Sequence, residues 1–157
     1  MKREKVFLSL VLFVFSLCFL PGQVLSAADK IDFKTYKEGV KLVKSDKKKA
    51  FIYFHADWCK YCDKIKKESF TNDKVIDYLN ENFISIMVDT DAEVKLAIKF
   101  NAQRLPMLYF LKEDASVLTY HLGYVEAKEL LYMLKFINTE SYKTMNFSDF
   151  VNKNPGE

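Results

Sequence analysis

The chain has 157 residues, of which 50% are hydrophobic and 29% are charged, which is enough apolar material for one packed core. With only 4 glycines and 3 prolines, the chain is neither collagen-like nor of low complexity. Its 14 phenylalanines and 9 tyrosines supply the bulky residues that disordered chains lack, so disorder is excluded for most of the length. The formal net charge is +3, of which the first five residues contribute +2; a body so close to neutrality lacks the basic field of a nucleic-acid-binding protein.

The N-terminal residues have the three-part pattern of a secretory signal peptide. Lys2, Arg3 and Lys5 precede an apolar run from Val6 to Leu20. As a helix, this run of 15 residues would extend about 22 Å, short of the roughly 30 Å hydrocarbon core of a bilayer, so a cleaved signal is favoured over a membrane anchor. We therefore predict a signal peptide over residues 1–27 and one domain over 28–157, with a C-terminal tail from about residue 139. The mature protein is expected in the periplasm or otherwise exported.

The three cysteines are distributed unequally. Cys18 lies in the apolar run, and Leu17 stands before it where a lipoprotein signal needs a small residue, so lipidation is disfavoured. Removal of the signal would leave Cys59 and Cys62 as the only thiols, in a compartment where disulfides persist.

The first part of the mature chain predicts a helix followed by a buried strand. Apolar side chains from Phe33 to Val43 recur at steps of three and four residues, the spacing of one helix face. The run Lys47–Lys49 is interpreted as a solvated turn that ends this helix. Residues 50–56, AFIYFHA, form the short apolar and aromatic run of a central strand.

The next segment predicts a pair of helices, a strand and a further helix. One helix follows residue 59, and Asn72 or Thr71 caps a second. Alternating apolar residues predict a strand over Phe83–Val88. Asp91 is expected to cap a third helix, whose apolar residues are Val94, Ala97 and Ile98.

The last part predicts an antiparallel hairpin and two helices. Met107–Leu111 and Val117–Leu122 flank a polar turn, a helix with a strong apolar face follows, and Asn146 or Ser148 caps a short helix in the tail. This order of elements predicts an α/β fold with a mixed central sheet flanked by helices. The βαβ crossovers should make parallel neighbours, and the hairpin should add antiparallel strands.

A Cys-x-x-Cys motif, Cys59-Lys60-Tyr61-Cys62, lies between the predicted central strand and a helix. Such a pair also occurs in zinc sites, but a structural zinc needs four ligands, and beyond the cysteines the mature chain offers only His55 and the distant His121. Covalent haem attachment would need a histidine directly after Cys62, where Asp63 stands. We therefore expect no metal, and no cofactor other than a redox-active disulfide.

The redox interpretation rests on helix electrostatics. At the first turn of a helix, Cys59 lies beside unpaired backbone N–H groups and the positive end of the helix dipole, which stabilise a thiolate; Lys60 adds a cation. Cys62, three residues later, shares the helix face and is close enough to form a disulfide. Cys59 is therefore the predicted nucleophile and Cys62 the resolving thiol. Trp58 is expected to shield the rim, and ordinary partial burial is its alternative role.

At this point the sequence resembles the thioredoxin superfamily. The matching residues are Ala56, Trp58, Cys59, Cys62, Pro106 and Gly123. The resemblance implies that Pro106 follows a cis peptide bond and lies against the disulfide, and that Leu105 offers backbone hydrogen bonds to an extended substrate. From the pattern alone, Pro106 would merely begin a strand.

Within the superfamily, the segment from Ala56 to Val75 is most similar to the C-terminal domain of the periplasmic electron carrier DsbD, and the aromatic tail is similar to that of SoxW-type thioredoxins. Both groups reduce disulfides outside the cytoplasm, which implies recharging by a membrane electron donor. One residue departs from the superfamily pattern: Tyr53 stands where thioredoxins bury an aspartate that passes protons to or from the resolving cysteine. His55 either substitutes for that carboxylate or only packs beside Tyr53.

The leading hypothesis is a periplasmic thiol:disulfide oxidoreductase that acts as a disulfide reductase on protein substrates. The alternatives are a disulfide-donating oxidase or isomerase, and a binding module whose disulfide is only structural. Lys60, Tyr61, Tyr53 and His55 are candidate modulators of the cysteine pair, and we expect a monomer. Because neither Lys60 nor Tyr61 is the histidine found between the cysteines of strongly oxidising members of the superfamily, a reducing potential is predicted.

Overall fold

The structure is a computed structural model, and it describes residues 30–156. The predicted signal peptide and Cys18 lie outside the described residues. The helices are α1 Tyr36–Asp46, α2 Lys60–Glu68, α3 Asp73–Asn82, α4 Val94–Lys99, α5 Ala127–Asn138 and α6 Phe147–Lys153, with a 3-10 turn at Ser141–Lys143. The strands are β1 Lys49–His55, β2 Phe83–Asp89, β3 Met107–Leu111 and β4 Val117–Leu122. None of the helices within residues 30–156 is both long and apolar enough to cross a bilayer.

The four strands form one mixed sheet in the order β2-β1-β3-β4. β1 and β2 are parallel, whereas β1–β3 and β3–β4 are antiparallel. The predicted α/β class with a helix-flanked mixed sheet is therefore confirmed. One expected pairing is wrong: the β2–α4–β3 crossover does not make parallel neighbours, because β3 joins the other side of β1 in the opposite direction.

Strand β1 lies at the centre and is buried along its whole length. Because side chains alternate along a strand, Phe51 and Tyr53 belong to one core cluster and Ile52 and Phe54 to the other. The first cluster also takes buried residues from α2, α3 and α5. The second takes buried Val43 from α1 and Phe100 from the end of α4, and the partly buried Leu96 of α4 packs against it. The sheet is thus covered by helices on both faces.

Helix α1 packs closely on β2 through Gly39. A Cβ at this position would lie 2.3 Å from Cγ1 of Ile86, so only glycine permits the observed approach. Thr35 caps α1 with a complete capping box to Glu38. The sequence placed Phe33 on this helix face, which is wrong: Phe33 precedes the cap and packs on the first core cluster, whereas α1 packs on the second.

The lysine run is only partly the solvated turn that was expected. Lys47 is exposed and ends α1 in a left-handed conformation, with φ of 53°. Lys49, however, is the first residue of β1 and is buried. Its ammonium group lies 2.6 Å from a carboxylate oxygen of Glu113 and 3.4 Å from one of Glu140. This pairing makes burial of the charge tolerable, and it joins β1 to the hairpin turn and the tail.

Helix α4 also differs from expectation. It begins at Val94 after Glu93, without a side-chain cap, so the prediction that Asp91 caps it is wrong. Val94 and Ile98 are exposed, and Ala97 is the buried member of the expected face. Elsewhere the predicted caps hold, with Asn72 at α3 and Asn146 at α6.

Candidate active site

The turn after β1 delivers both cysteines to the start of α2. Cys59 is the N-cap residue of this helix, and Cys62 lies in its first turn. The two are joined by a disulfide with a Cα–Cα distance of 5.2 Å, within the usual range for such bonds. Cys59 is 6% exposed and Cys62 is 0% exposed, so Cys59 is the member of the pair that retains contact with solvent.

The sulfur of Cys59 receives a backbone hydrogen bond. The N–H of Cys62 donates to Cys59 Sγ over 3.1 Å. In the reduced protein, a thiolate at this position would gain the same donor together with the positive end of the helix dipole. Lys60, the first residue of α2, is exposed beside it. These contacts favour the thiolate, the reactive form of a cysteine, at Cys59.

Tyr53 is fully buried beneath the second cysteine. Its hydroxyl donates to the backbone oxygen of Cys62 over 3.1 Å. Burial, and after it the carboxylate of Asp63, raises the pKa of Tyr53 above its ordinary value. The phenol is therefore neutral at physiological pH. It positions the Cys62 backbone and does not replace the proton-accepting carboxylate that the superfamily pattern leads one to expect there.

His55 packs on Tyr53, as one of the two interpretations of the sequence predicts. The two rings stack with centroids 5.3 Å apart. The Nδ1 atom of His55 lies 3.5 Å from Nζ of Lys66, which is four residues after Cys62 along α2. Burial first, and the Lys66 cation second, lowers the pKa of His55, against weaker opposition from Asp89 and Asp57. The imidazole is thus a neutral base beside the helix that bears both cysteines.

An exposed rim surrounds the buried pair. Trp58 and Tyr61 are both largely exposed. The indole N–H of Trp58 donates to a carboxylate oxygen of Asp91 over 2.9 Å, which ties the rim to the loop after β2. Because Trp58 is exposed, its position is fixed by the hydrogen bond to Asp91 and not by burial.

The segment before β3 lies close to the same part of the core. The Leu105–Pro106 peptide bond is cis, as the resemblance implies. Leu105 is partly buried and packs against the core cluster that contains Cys59 and Cys62. The backbone oxygen of Pro106 accepts a hydrogen bond from the N–H of Gly123 over 2.8 Å. This bond fixes the segment to the end of the hairpin.

Sequence reasoning missed Asp91 and Lys66 as neighbours of the site. The local pattern predicts Asp91 as a helix cap, whereas its contact with Trp58 spans 33 residues of sequence and has no local signal. Lys66 could have been found, because positions i and i+4 share a helix face and Lys66 stands at that spacing from Cys62. Within residues 30–156, no group of three or more His, Cys, Asp or Glu side chains is placed to hold a metal ion.

Comparison with protein families gives a match to the family model described as a thioredoxin-like domain, over residues 36–138. This range runs from the start of α1 to the end of α5 and includes the cysteine motif. A curated relative, an uncharacterized protein of Archaeoglobus fulgidus, is 26% identical over 84 residues, which are 53% of this chain and 66% of the relative. The match thus spans just under two thirds of that protein's length.

Solved structures show the same fold. A putative disulphide-isomerase from Bacteroides thetaiotaomicron is 26% identical, with a TM-score of 0.61 over 76% of this chain and 98% of that one. The oxidised C-terminal domain of DsbD from Neisseria meningitidis is 20% identical, with a TM-score of 0.53 over 68% of this chain and 98% of that one. The similarity to the DsbD domain expected from the motif is thereby confirmed at the level of the fold.

Proposed function

The chain belongs to the thioredoxin-like domain family, and from this premise we propose that it is an exported thiol:disulfide oxidoreductase that works as a disulfide reductase. The observation that carries the proposal is the hydrogen bond from the Cys62 N–H to the sulfur of Cys59, at the N-terminus of α2. A donor placed there lowers the energy of a Cys59 thiolate, and the thiolate is the form that attacks disulfides.

The reaction needs only the two cysteines and a substrate disulfide. The Cys59 thiolate attacks one substrate sulfur, a mixed disulfide forms, and the other substrate sulfur leaves as a thiolate that takes up a proton. Cys62 then loses its proton and attacks Cys59 Sγ, which releases the second substrate thiol. The substrate gains two electrons and two protons, and the protein is left with the Cys59–Cys62 disulfide.

The rim and the segment before β3 would bind the substrate. Trp58, held by Asp91, offers an exposed ring beside the cysteines. Leu105 packs on the cluster that contains the disulfide. The resemblance to thioredoxins assigns the backbone groups of Leu105, with Pro106 beside them, to an extended substrate segment. Protein disulfides are the substrates that this arrangement suits.

Export and recharging complete the proposal. The basic and apolar pattern of residues 1–27 supports export, in a compartment where protein disulfides form. The disulfide left after each cycle must be reduced again by a dithiol. The resemblance of the cysteine segment to the DsbD domain supports a membrane-bound electron donor in that role.

Two measurements test this function. Purified protein supplied with dithiothreitol should reduce insulin, and the Cys59→Ser variant should not. Equilibration with glutathione buffers should give a reduction potential nearer the value of about −270 mV of thioredoxin than the roughly −120 mV of a dedicated oxidant. A potential close to the oxidant value would make the protein a disulfide donor, and failure to reduce insulin would make it a binding module.

A further inference from the structure

Helix α2 is attached to a distant part of the chain at the end opposite the cysteines. Its N-cap is Cys59 and its C-cap is Ser69. Ser69 is fully buried, and its hydroxyl donates to the backbone oxygen of Val125 over 2.6 Å, across 56 residues of sequence. Hydroxyls near a helix end commonly bond back to a carbonyl of their own helix, as that of Thr71 does to the oxygen of Lys67. Ser69 instead ties the helix of the cysteines to the segment after β4.

A second tie joins the same two segments at the surface. The hydroxyl of Tyr124 donates to a carboxylate oxygen of Glu68 over 2.6 Å. The ammonium group of Lys64 lies 3.8 Å from that oxygen and 4.1 Å from the centre of the Tyr124 ring. Each of these exposed contacts alone is weak, but together they hold Tyr124 against the last turn of α2.

The segment held in this way is bonded in turn to Pro106. The N–H of Gly123 donates to the backbone oxygen of Pro106 over 2.8 Å. Gly123 has a φ of 102°, a backbone conformation that favours glycine. Only Tyr124 separates Gly123 from Val125 in the sequence. A short path of backbone and hydrogen bonds therefore runs from the end of α2 to Pro106.

The tie and the cysteines belong to one part of the core. Val125 is buried in the first core cluster, which also contains Cys59 and Cys62, and Leu105 packs against that cluster. Because α2 is a single helix of nine residues, a change at its C-terminal end alters how the helix and its cysteines lie against the Leu105–Pro106 segment.

We propose that Ser69 and Tyr124 are positioning residues that set the distance between Cys59 and the Leu105–Pro106 segment, and with it the affinity for protein disulfides. This inference rests on the proposed reductase function, in which that segment binds an extended substrate chain. A protein substrate must contact Cys59 and the segment at the same time, so its binding depends on the distance between them. A small disulfide reacts at Cys59 alone and is insensitive to that distance.

Three variants of the full protein test the proposal. Ser69→Ala removes the buried tie, and Tyr124→Phe removes only the hydroxyl of the exposed one. Thr71→Ala is the matched control, because its hydroxyl bonds to α2 itself. For each protein, kcat and KM for insulin are measured with dithiothreitol as reductant. The reduced proteins are also mixed with dithiodipyridine, a small neutral disulfide, in a single turnover.

The protein substrate and the small disulfide should respond differently. Ser69→Ala should raise the KM for insulin about fivefold and Tyr124→Phe about twofold, both with unchanged kcat. Both should keep the wild-type rate with dithiodipyridine, since the backbone donor to the sulfur of Cys59 remains. Thr71→Ala should change neither value. In Ser69→Ala, hydrogen exchange at the Gly123 amide should be faster, because its bond to Pro106 is held less firmly.

Three results would overturn the positioning role while the wild type reduces insulin. These are an unchanged KM in Ser69→Ala, an equal rise in Thr71→Ala, and a dithiodipyridine rate that falls together with kcat/KM for insulin, which would place the effect at Cys59 itself. If Ser69→Ala does not fold, Tyr124→Phe decides, and an unchanged KM there overturns the role. A wild type that leaves insulin intact would overturn the proposed function, and this inference with it.

Discussion

Each end of strand β1 holds a basic side chain, and the two side chains are equally buried. Their neighbours carry opposite charges. Lys49 at the start and His55 at the end are both 7% exposed. Lys49 contacts the carboxylates of Glu113 and Glu140. His55 lies between a stacked tyrosine ring and the Lys66 ammonium group. Burial alone therefore does not determine the charge that each end carries.

Neighbouring charges decide the outcome. At Lys49, burial lowers the pKa of the ammonium group. The hydrogen bond and charge of Glu113, together with Glu140, raise this pKa by more than burial lowers it, so the net pKa lies above its ordinary value. At His55, burial and Lys66 both lower the pKa. One end thus fixes a permanent ion pair that holds the hairpin and tail, while the other keeps a neutral base beside α2, the helix that carries the cysteines. The first is structural and the second belongs to the site.

Removing Lys49 should give the largest loss of stability. Lys49→Ala leaves Glu113 and Glu140 without their shared cation and removes a buried stem, so the free energy of unfolding should fall by about 2 kcal/mol. Denaturant unfolding measures it. Lys41→Ala on the exposed side of α1 is the matched control, with an expected change below about 0.5 kcal/mol. Equal losses in the two variants would remove the structural role of the ion pair.

The same pair should respond to acid. The hydrogen bond from Lys49 lowers the pKa of Glu113 below its ordinary value of 4.5. A lowered carboxyl pKa adds stability above the unfolded value and loses it as pH falls through the folded value. Wild type should therefore lose its advantage over Lys49→Met below pH 4.5. An advantage that persists undiminished to lower pH would contradict the assignment.

At the other end of β1, Tyr53→Phe should have a smaller effect. It removes only the hydroxyl that bonds to the Cys62 backbone oxygen, and keeps the ring stacked on His55. The oxidised protein should lose about 1 kcal/mol of unfolding free energy. Tyr61→Phe, at an exposed position on the same helix as Cys62, should change nothing measurable. Loss in both variants, or in neither, would count against positioning of Cys62 by Tyr53.

The smallest expected effect is a pH dependence from His55. Its pKa in the folded protein lies below the ordinary 6.5, so between these values the unfolded chain binds more protons. The contribution of His55 to stability should be complete above about pH 6.5 and should be lost as pH falls toward the folded pKa. His55→Phe should flatten this slope, and Lys66→Met should raise the pKa seen by NMR of the imidazole. A pKa of His55 above 6.5 in the wild type would contradict the lowering by burial and by Lys66 together.

Local sequence patterns predicted the elements whose signals are local. Met107–Leu111 and Val117–Leu122 have the predicted bounds, because alternation and a polar turn define a hairpin without distant residues. The burial of Lys49 could not be predicted in the same way, since its partner Glu113 is 64 residues away. Phe33 was misplaced because helical spacing also fits a residue that precedes the cap and packs elsewhere.

In the candidate site, too, local features could be predicted from the sequence and long-range contacts could not. The cysteine motif is contiguous, so its position at the start of α2, just after β1, could be predicted from sequence. The contacts that surround it are tertiary: Trp58 with Asp91, His55 with Lys66, and Tyr53 with the Cys62 backbone. Residue types alone made Tyr53 a departure from the superfamily pattern. The structure adds that the Tyr53 hydroxyl donates a hydrogen bond to the backbone oxygen of Cys62.

The central claim is that Cys59 attacks and Cys62 resolves, and trapping of mixed disulfides tests it most directly. Reduced Cys62→Ser and Cys59→Ser variants are each incubated with oxidised insulin, quenched with acid and alkylating agent, and separated by non-reducing electrophoresis. Cys62→Ser should accumulate the mixed disulfide, because Cys59 keeps its backbone donor and its access to solvent while the resolving thiol is gone. Cys59→Ser should accumulate none. Trapping by Cys59→Ser and not by Cys62→Ser would reverse the two roles and contradict the account.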